Sequence, residues 1–327
     1  MKPCLLLFAA LPWLLVHGQD PAPKPGVEAK AKDKTKAPVY DEKAVGQEQI
    51  AAALARAKRE NRRVLVAWGA NWCTWCRALA RLETADKDVA KVLLYEYDVV
   101  KIDIGTWEKL KHKDLIQKYG VDLKAGVPYL TVLDAGGNVV VNQPTEPLEL
   151  ADKKKPGHDP AKVIAFLKQH AAPHLEAQAV YDAGLASAKK DGKRVFLHFG
   201  APWCPWCHRL DDWLARPDVA AVLDKDFVDV KIDTDRMAGG AAILARLRNG
   251  EDAGIPWFVV LDAEGRPLAD SGAGRENIGF PAAPEEIARF RAMLEKVCVK
   301  ITKDEIDVLA ASLVPPEKPG GGPPTGQ

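Results

Sequence analysis

The sequence predicts an α/β chain made of two copies of one domain, each a mixed central sheet flanked by helices. Three observations point there. Arg63-Val64-Leu65-Val66-Ala67-Trp68-Gly69-Ala70-Asn71-Trp72-Cys73 returns 131 residues later as Arg194-Val195-Phe196-Leu197-His198-Phe199-Gly200-Ala201-Pro202-Trp203-Cys204, and self-similarity at a long offset marks a repeated folding unit. Each copy alternates helical and strand-like segments and ends in a hairpin, the order that yields a mixed sheet between helices. The chain has 327 residues, 47% of them hydrophobic, enough for two domains of average size. The register persists downstream: Lys101-Ile102-Asp103 answers to Lys231-Ile232-Asp233, and Gly126-Val127-Pro128-Tyr129 to Gly254-Ile255-Pro256-Trp257.

Each copy opens with an amphipathic helix, residues 48–59 and 177–190, followed by a short apolar strand, 64–68 and 195–199. A helix begins at the cysteine after each strand. Then come a second strand, 95–102 and 227–232, a looser helical stretch, and a hairpin. The hairpin turns, Asp134-Ala135-Gly136-Gly137-Asn138 and Asp262-Ala263-Glu264-Gly265, are rich in turn formers between β-branched runs. A closing helix, 160–170 and 284–297, completes each unit.

Outside the repeats, Met1-Lys2 and the apolar run from Cys4 to Val16 lead to Gly18, the pattern of a signal peptide over 1–18. The run is shorter than the roughly 20 residues a spanning helix needs, although a retained anchor is the alternative. Residues 19–43, rich in Pro, Lys and Ala, read as a disordered linker, and 312–327, with Pro315-Pro316 and Gly320-Gly321-Gly322, as a disordered tail. The domains then span 44–171 and 172–311. Lys and Arg number 46 against 45 Asp and Glu, so no global field gathers nucleic acid or an anionic membrane. Beyond the leader no segment is long and apolar enough to cross a bilayer. The expected location is periplasmic or secreted, where disulfide chemistry has an outlet.

The chemistry concentrates in Trp72-Cys73-Thr74-Trp75-Cys76 and Trp203-Cys204-Pro205-Trp206-Cys207. A cysteine opening a helix lies among free backbone N–H groups at the positive end of the helix dipole, which favours its thiolate. Cys73 and Cys204 are therefore the expected nucleophiles. Cys76 and Cys207, one turn on, are the expected resolving thiols, and the exchange reaction needs no cofactor. Trp72, Trp75, Trp203 and Trp206 are candidate substrate-facing or supporting side chains.

Over residues 45–300 these features resemble the thioredoxin superfamily, in particular thioredoxin-like proteins of the bacterial envelope with Trp-Cys-x-x-Cys sites. The resemblance implies two tandem thioredoxin-like folds and thiol-disulfide oxidoreductase activity. Its partners would be protein thiols and disulfides and a further redox partner. It makes Pro128 and Pro256 the cis-prolines facing the sites, and Val127 and Ile255 the residues whose backbone receives an extended substrate segment. The buried acid that thioredoxins carry six residues before the first cysteine is replaced here by Ala67 and His198. His198 is a candidate proton acceptor for Cys207, or a hydrogen-bonded core histidine. Lys101 and Lys231 match a lysine beside the thioredoxin site. Three other readings stand: a non-catalytic tandem binding module with structural disulfides, a c-type haem site at Cys204-Pro205-Trp206-Cys207-His208, and four thiolates sharing one zinc. Cys298 has no motif around it and is assigned no role.

Overall fold

The computed structural model describes residues 38–152, 154–250, 253–272 and 276–314. The expected signal peptide, most of the expected linker and residues 315–327 lie outside them. In the first repeat α1 (Gly46–Glu60) leads into β1 (Arg63–Gly69), α2 (Thr74–Ala85), α3 (Lys87–Glu96), β2 (Tyr97–Asp103), α4 (Lys113–Lys118), β3 (Tyr129–Leu133), β4 (Val139–Pro144) and α5 (Pro160–Gln169). The second repeat follows the same order through α6 (Ala177–Asp191), β5 (Arg194–Gly200), α7 (Pro205–Leu214), α8 (Pro217–Leu223), β6 (Phe227–Asp233), α9 (Gly240–Leu247), β7 (Trp257–Leu261), β8 (Pro267–Asp270) and α10 (Pro284–Val297), and adds α11 (Lys303–Ala311). Both repeats lie within one compact unit that begins at Val39.

Each repeat builds one mixed four-stranded sheet, ordered β2-β1-β3-β4 and β6-β5-β7-β8. The first strand of each repeat is central, parallel to one neighbour and antiparallel to the other: Trp68 pairs with Ile102 on β2 and Tyr129 on β3, and Phe199 with Ile232 on β6 and Trp257 on β7. Helices cover both faces, so the central strands are apolar after their first residue, His198 excepted. Val64, Val66 and Trp68 pack toward α1 and α4, whereas Leu65 and Ala67 pack toward α2, α3 and α5. The period-2 alternation therefore sends His198, with Phe196, to the α7 face of the second sheet. Helix α1 ends at Asn61 in the left-handed region, φ 48°, where α6 uses Gly192.

Several expectations need correction. Residues 39–43 are not free linker, because Tyr40 is 2% exposed and packs onto the first domain. Likewise Leu313 is buried in the second core and the Ser312 hydroxyl accepts the Trp213 indole N–H at 2.9 Å, so the ordered fold extends past residue 311. Tyr95 and Glu96 belong to the end of α3, and the strand starts at Tyr97. α3, α8 and α11 were not expected from the sequence.

Candidate active site

Both Cys-x-x-Cys segments follow the central strand and open a helix. Cys73 is the N-cap of α2 and Cys204 that of α7, and each sulfur accepts the backbone N–H of the cysteine three residues on, at 3.0 Å from Cys76 and 3.1 Å from Cys207. That position supplies an orphan amide donor and the positive helix end. The pairs are closed as the disulfides Cys73–Cys76 and Cys204–Cys207, each with Cα atoms 5.3 Å apart. All four cysteines are buried.

The loops before β3 and β7 approach the same sulfurs. The Val127–Pro128 and Ile255–Pro256 bonds are cis, and the carbonyl oxygens of Val127 and Ile255 lie 3.4 Å from Cys73 Sγ and 3.7 Å from Cys204 Sγ. Each nucleophile candidate thus lies between a helix N-terminus and the backbone of the residue preceding a cis-proline.

The tryptophans form the rim. Trp72 donates its indole N–H to the Gly105 carbonyl at 2.7 Å and meets Trp107, while Trp203 donates to the Asp235 carboxylate at 3.0 Å. Both leave much of the ring exposed. Trp206 stacks on Phe280 with the Arg209 guanidinium over both rings, whereas Trp75 turns edge-on to His158.

Beneath the second site lies a charged cluster. His198 is 3% exposed, with Nδ1 3.5 Å from Asp211 Oδ1 and Nε2 3.1 Å from Asp229 Oδ1. The Lys231 ammonium sits 2.5 Å from Asp211 Oδ2. Asp211, one helical turn after Cys207, was not singled out from the sequence, although a helix acid at that spacing on the buried face is a readable signal. In the first domain Lys101 pairs at 2.8 Å with Glu83, also on the cysteine-bearing helix. Glu60, His208 and Asp211 bring ligand-type atoms within 4.8 Å of one another. The Lys231 ammonium on Asp211 already supplies the cation there. His208 directs Nε2 to the Pro202 carbonyl at 2.8 Å and Nδ1 toward Glu60 at 3.7 Å. Cys298 packs against the second core, where burial and the Asp226 charge push its thiol pKa up to about 12.

Two residues of the first site had no signal in the sequence. Tyr40 packs on Cys73 and Cys76, and Asn71 hydrogen-bonds to the segment that carries it.

The sequence model of the family described as Thioredoxin-like matches residues 46–135 and 176–263. Among curated proteins the chain is 27% identical to protein disulfide-isomerase tigA of Aspergillus niger over 186 residues, covering 54% of this chain and 46% of that protein. It is 30% identical to human spermatogenesis-associated protein 20 over 71 residues, covering 21% and 9%. The matches therefore span less than half the length of these curated relatives. Among solved structures, a disulphide isomerase from Xylella fastidiosa Temecula1 is 31% identical and aligns over 41% of this chain and 97% of its own, with a TM-score of 0.36. A thioredoxin from Thermus thermophilus is 27% identical over 37% of this chain and 85% of its own, with a TM-score of 0.28.

Proposed function

Since the chain belongs to the thioredoxin-like family, whose model matches both repeats, we propose that it is an exported thiol-disulfide oxidoreductase that exchanges disulfides with protein substrates through both Cys-x-x-Cys sites. One observation carries this reading. Each pair closes as a disulfide with its first sulfur at a helix N-cap and against the carbonyl preceding a cis-proline.

In the reduced form the Cys73 or Cys204 thiolate, held by the helix-end amide, attacks a client disulfide. One client sulfur leaves as a thiolate and the other forms a mixed disulfide. Cys76 or Cys207, as thiolate, then attacks the first cysteine's sulfur and releases the second client thiol. Two electrons pass to the client and the pair becomes a disulfide; the reverse sequence oxidises a client dithiol. An extended client segment lies along the backbone of Val127 or Ile255 in added-strand fashion, bordered by Trp72 and Trp75 or by Trp203 and Trp206. Residues 1–18 act as a cleaved leader in this scheme.

Insulin-disulfide reduction in the presence of dithiothreitol is the direct test. The full chain is expected to accelerate it, and the Cys73→Ser/Cys204→Ser double variant to lose the acceleration. No acceleration by the parent, together with two pairs that fail to equilibrate with glutathione, refutes the reading. Recovery of an unprocessed chain from the cytoplasm of the expressing cell refutes export.

A further inference from the structure

The two sites share a backbone plan but differ beside the second cysteine. In the first domain the segment Val39–Glu42 crosses the site and buries Tyr40 in one cluster with Cys73 and Cys76, flanked by Val39, Trp75 and Val127. A Cβ placed on Gly69 would meet the Tyr40 hydroxyl oxygen at 2.4 Å and Cys76 Sγ at 2.7 Å. Hydroxyl and sulfur thus border the same small space, which the absent side chain of residue 69 leaves open. In the second domain the same construction on Gly200 meets Cys207 Cβ at 3.0 Å and Sγ at 3.4 Å, then Lys231 Cε at 4.0 Å, with no aromatic group. The repeat register sets Ala171 against Tyr40.

The strap is clamped as well as packed. The Asn71 carbonyl oxygen accepts the N–H groups of Val39 and Tyr40 at 2.9 and 3.0 Å, and its amide donates to the Tyr40 carbonyl and the Glu42 carboxylate, both at 2.9 Å. Lys111 adds a hydrogen bond to the Glu42 carbonyl at 2.9 Å while paired with Asp103 at 2.6 Å. The repeat sets Pro202 against Asn71, and a proline side chain offers none of these bonds.

We propose that Tyr40 is a hydrogen-bond donor to the Cys76 sulfur in the first redox site, and that Asn71 is its positioning residue, so that the two sites of the chain are chemically unequal. The proposal rests on the reading that Cys73–Cys76 undergoes exchange. When a thiolate attacks Cys73 Sγ, the S–S bond breaks and its electron pair remains on Cys76 as a thiolate. The Tyr40 O–H stabilises that anion by a charge-assisted hydrogen bond and keeps its own proton. Burial, reinforced by the charges of Glu83 and Asp103, drives the phenol pKa far upward, so the hydroxyl is a donor and not a base. Lys101, paired with Glu83, and Lys111, paired with Asp103, complete the charged surroundings. In the second domain the corresponding space beside Cys207 is bordered by the Lys231 side chain and by no phenol.

The test is Tyr40→Phe, which preserves the ring and removes the donor, in the full chain with Cys204 and Cys207 changed to serine so that only the first site reports. Two quantities are read: the rate at which dithiothreitol reduces Cys73–Cys76, followed by tryptophan fluorescence, and the Cys76 thiol titration in the reduced protein, followed by carbon-13 shifts of labelled cysteine. Loss of a hydrogen bond to a charged group is expected to raise the Cys76 pKa by about one unit, a change of about tenfold in the thiolate equilibrium. Reduction slows severalfold because a more basic thiolate leaves more slowly. Asn71→Ala should move both quantities in the same direction. A Tyr40→Phe chain that matches the parent in either quantity overturns the proposal. So does an equal slowing of Cys204–Cys207 in a Cys73→Ser/Cys76→Ser background, because that effect is global. A parent whose Cys73–Cys76 bond does not react with dithiothreitol at all instead removes the functional reading itself.

Discussion

Gly69 and Gly200 end equivalent central strands, yet they tolerate a methyl group differently. At Gly69 the added carbon falls below 3 Å from both a buried hydroxyl and a disulfide sulfur, whereas at Gly200 its nearest neighbour is Cys207 Cβ at 3.0 Å. Overpacking of this kind costs about 1–3 kcal/mol, so Gly69→Ala is expected to lower the urea midpoint of the oxidised chain clearly more than Gly200→Ala. Equal midpoints would contradict the packing described. At this scale the cysteines and the two prolines were readable from short spacings, because sulfur chemistry requires an i, i+3 pair at a helix start and the Gly-Val-Pro and Gly-Ile-Pro steps repeat. Tyr40, Asn71 and Asp211 were not identified. Tyr40 meets Asn71 across 31 residues of sequence, a distance over which no local pattern reports. Asp211 acquires its role only when β6 brings Lys231 against it.

The secondary elements were legible where periodicity is strong and obscure where it is short. The run Val92-Leu93-Leu94-Tyr95 reads equally as strand or helix, and it is the last turn of α3 entering β2 directly. α11 did carry a signal: Thr302 and Glu305 form a reciprocal capping box, with the Glu305 carboxylate 3.0 Å from the Thr302 N–H. The turn into that helix is held by Asp226, which precedes β6 and accepts the N–H groups of Val299, Lys300 and Ile301 at 2.8–3.0 Å. Burial works against its ionisation, but the three amides outweigh it and bring its pKa below the usual value of 3.8. A lowered carboxyl pKa gives stability that is present above the unfolded value and lost as pH falls through the folded one. Asp226→Ala leaves those amides without their acceptor and is expected to cost about 1–3 kcal/mol at neutral pH. The deficit relative to the parent should shrink as pH falls below 3.8, where the unfolded chain takes up the proton first, and vanish once the pH is below the lower folded value.

The repeats also meet, and their junction adjoins the second site. Arg236, in the loop after β6, is buried with its guanidinium on the Glu96 carboxylate at 2.9 Å and on the Glu60 and Asn61 carbonyls at 2.8 and 3.0 Å, where a cation suits the C-terminal end of α1. Asp235 beside it accepts both the Trp203 indole and the Tyr95 hydroxyl of the first domain. Removing one partner of a buried pair costs about 3–5 kcal/mol, so Arg236→Ala should split a single denaturation transition into two, one per domain. A second link is titratable. Glu60 raises the pKa of His208 above its usual 6.5, with the Pro202 carbonyl assisting and desolvation and Lys231 opposing. Burial raises the Glu60 pKa, but His208, Arg62 and Lys231 prevail and bring it down to about 2. Asp211 is the remaining acid in the cluster. The histidine's share of stability is complete below its unfolded pKa and disappears as pH rises through the higher folded value; the glutamate's is complete above its unfolded pKa and disappears only in strong acid. The junction should therefore be tightest in the mildly acidic range and loosen as pH rises above 6.5, the usual histidine value, toward the higher folded one. In scanning calorimetry the two domain transitions of Arg236→Ala are expected to draw further apart as pH rises above 6.5, and adding His208→Gln, which cannot titrate there, should abolish the pH dependence. A separation in Arg236→Ala that does not change with pH would remove the Glu60–His208 link from the junction.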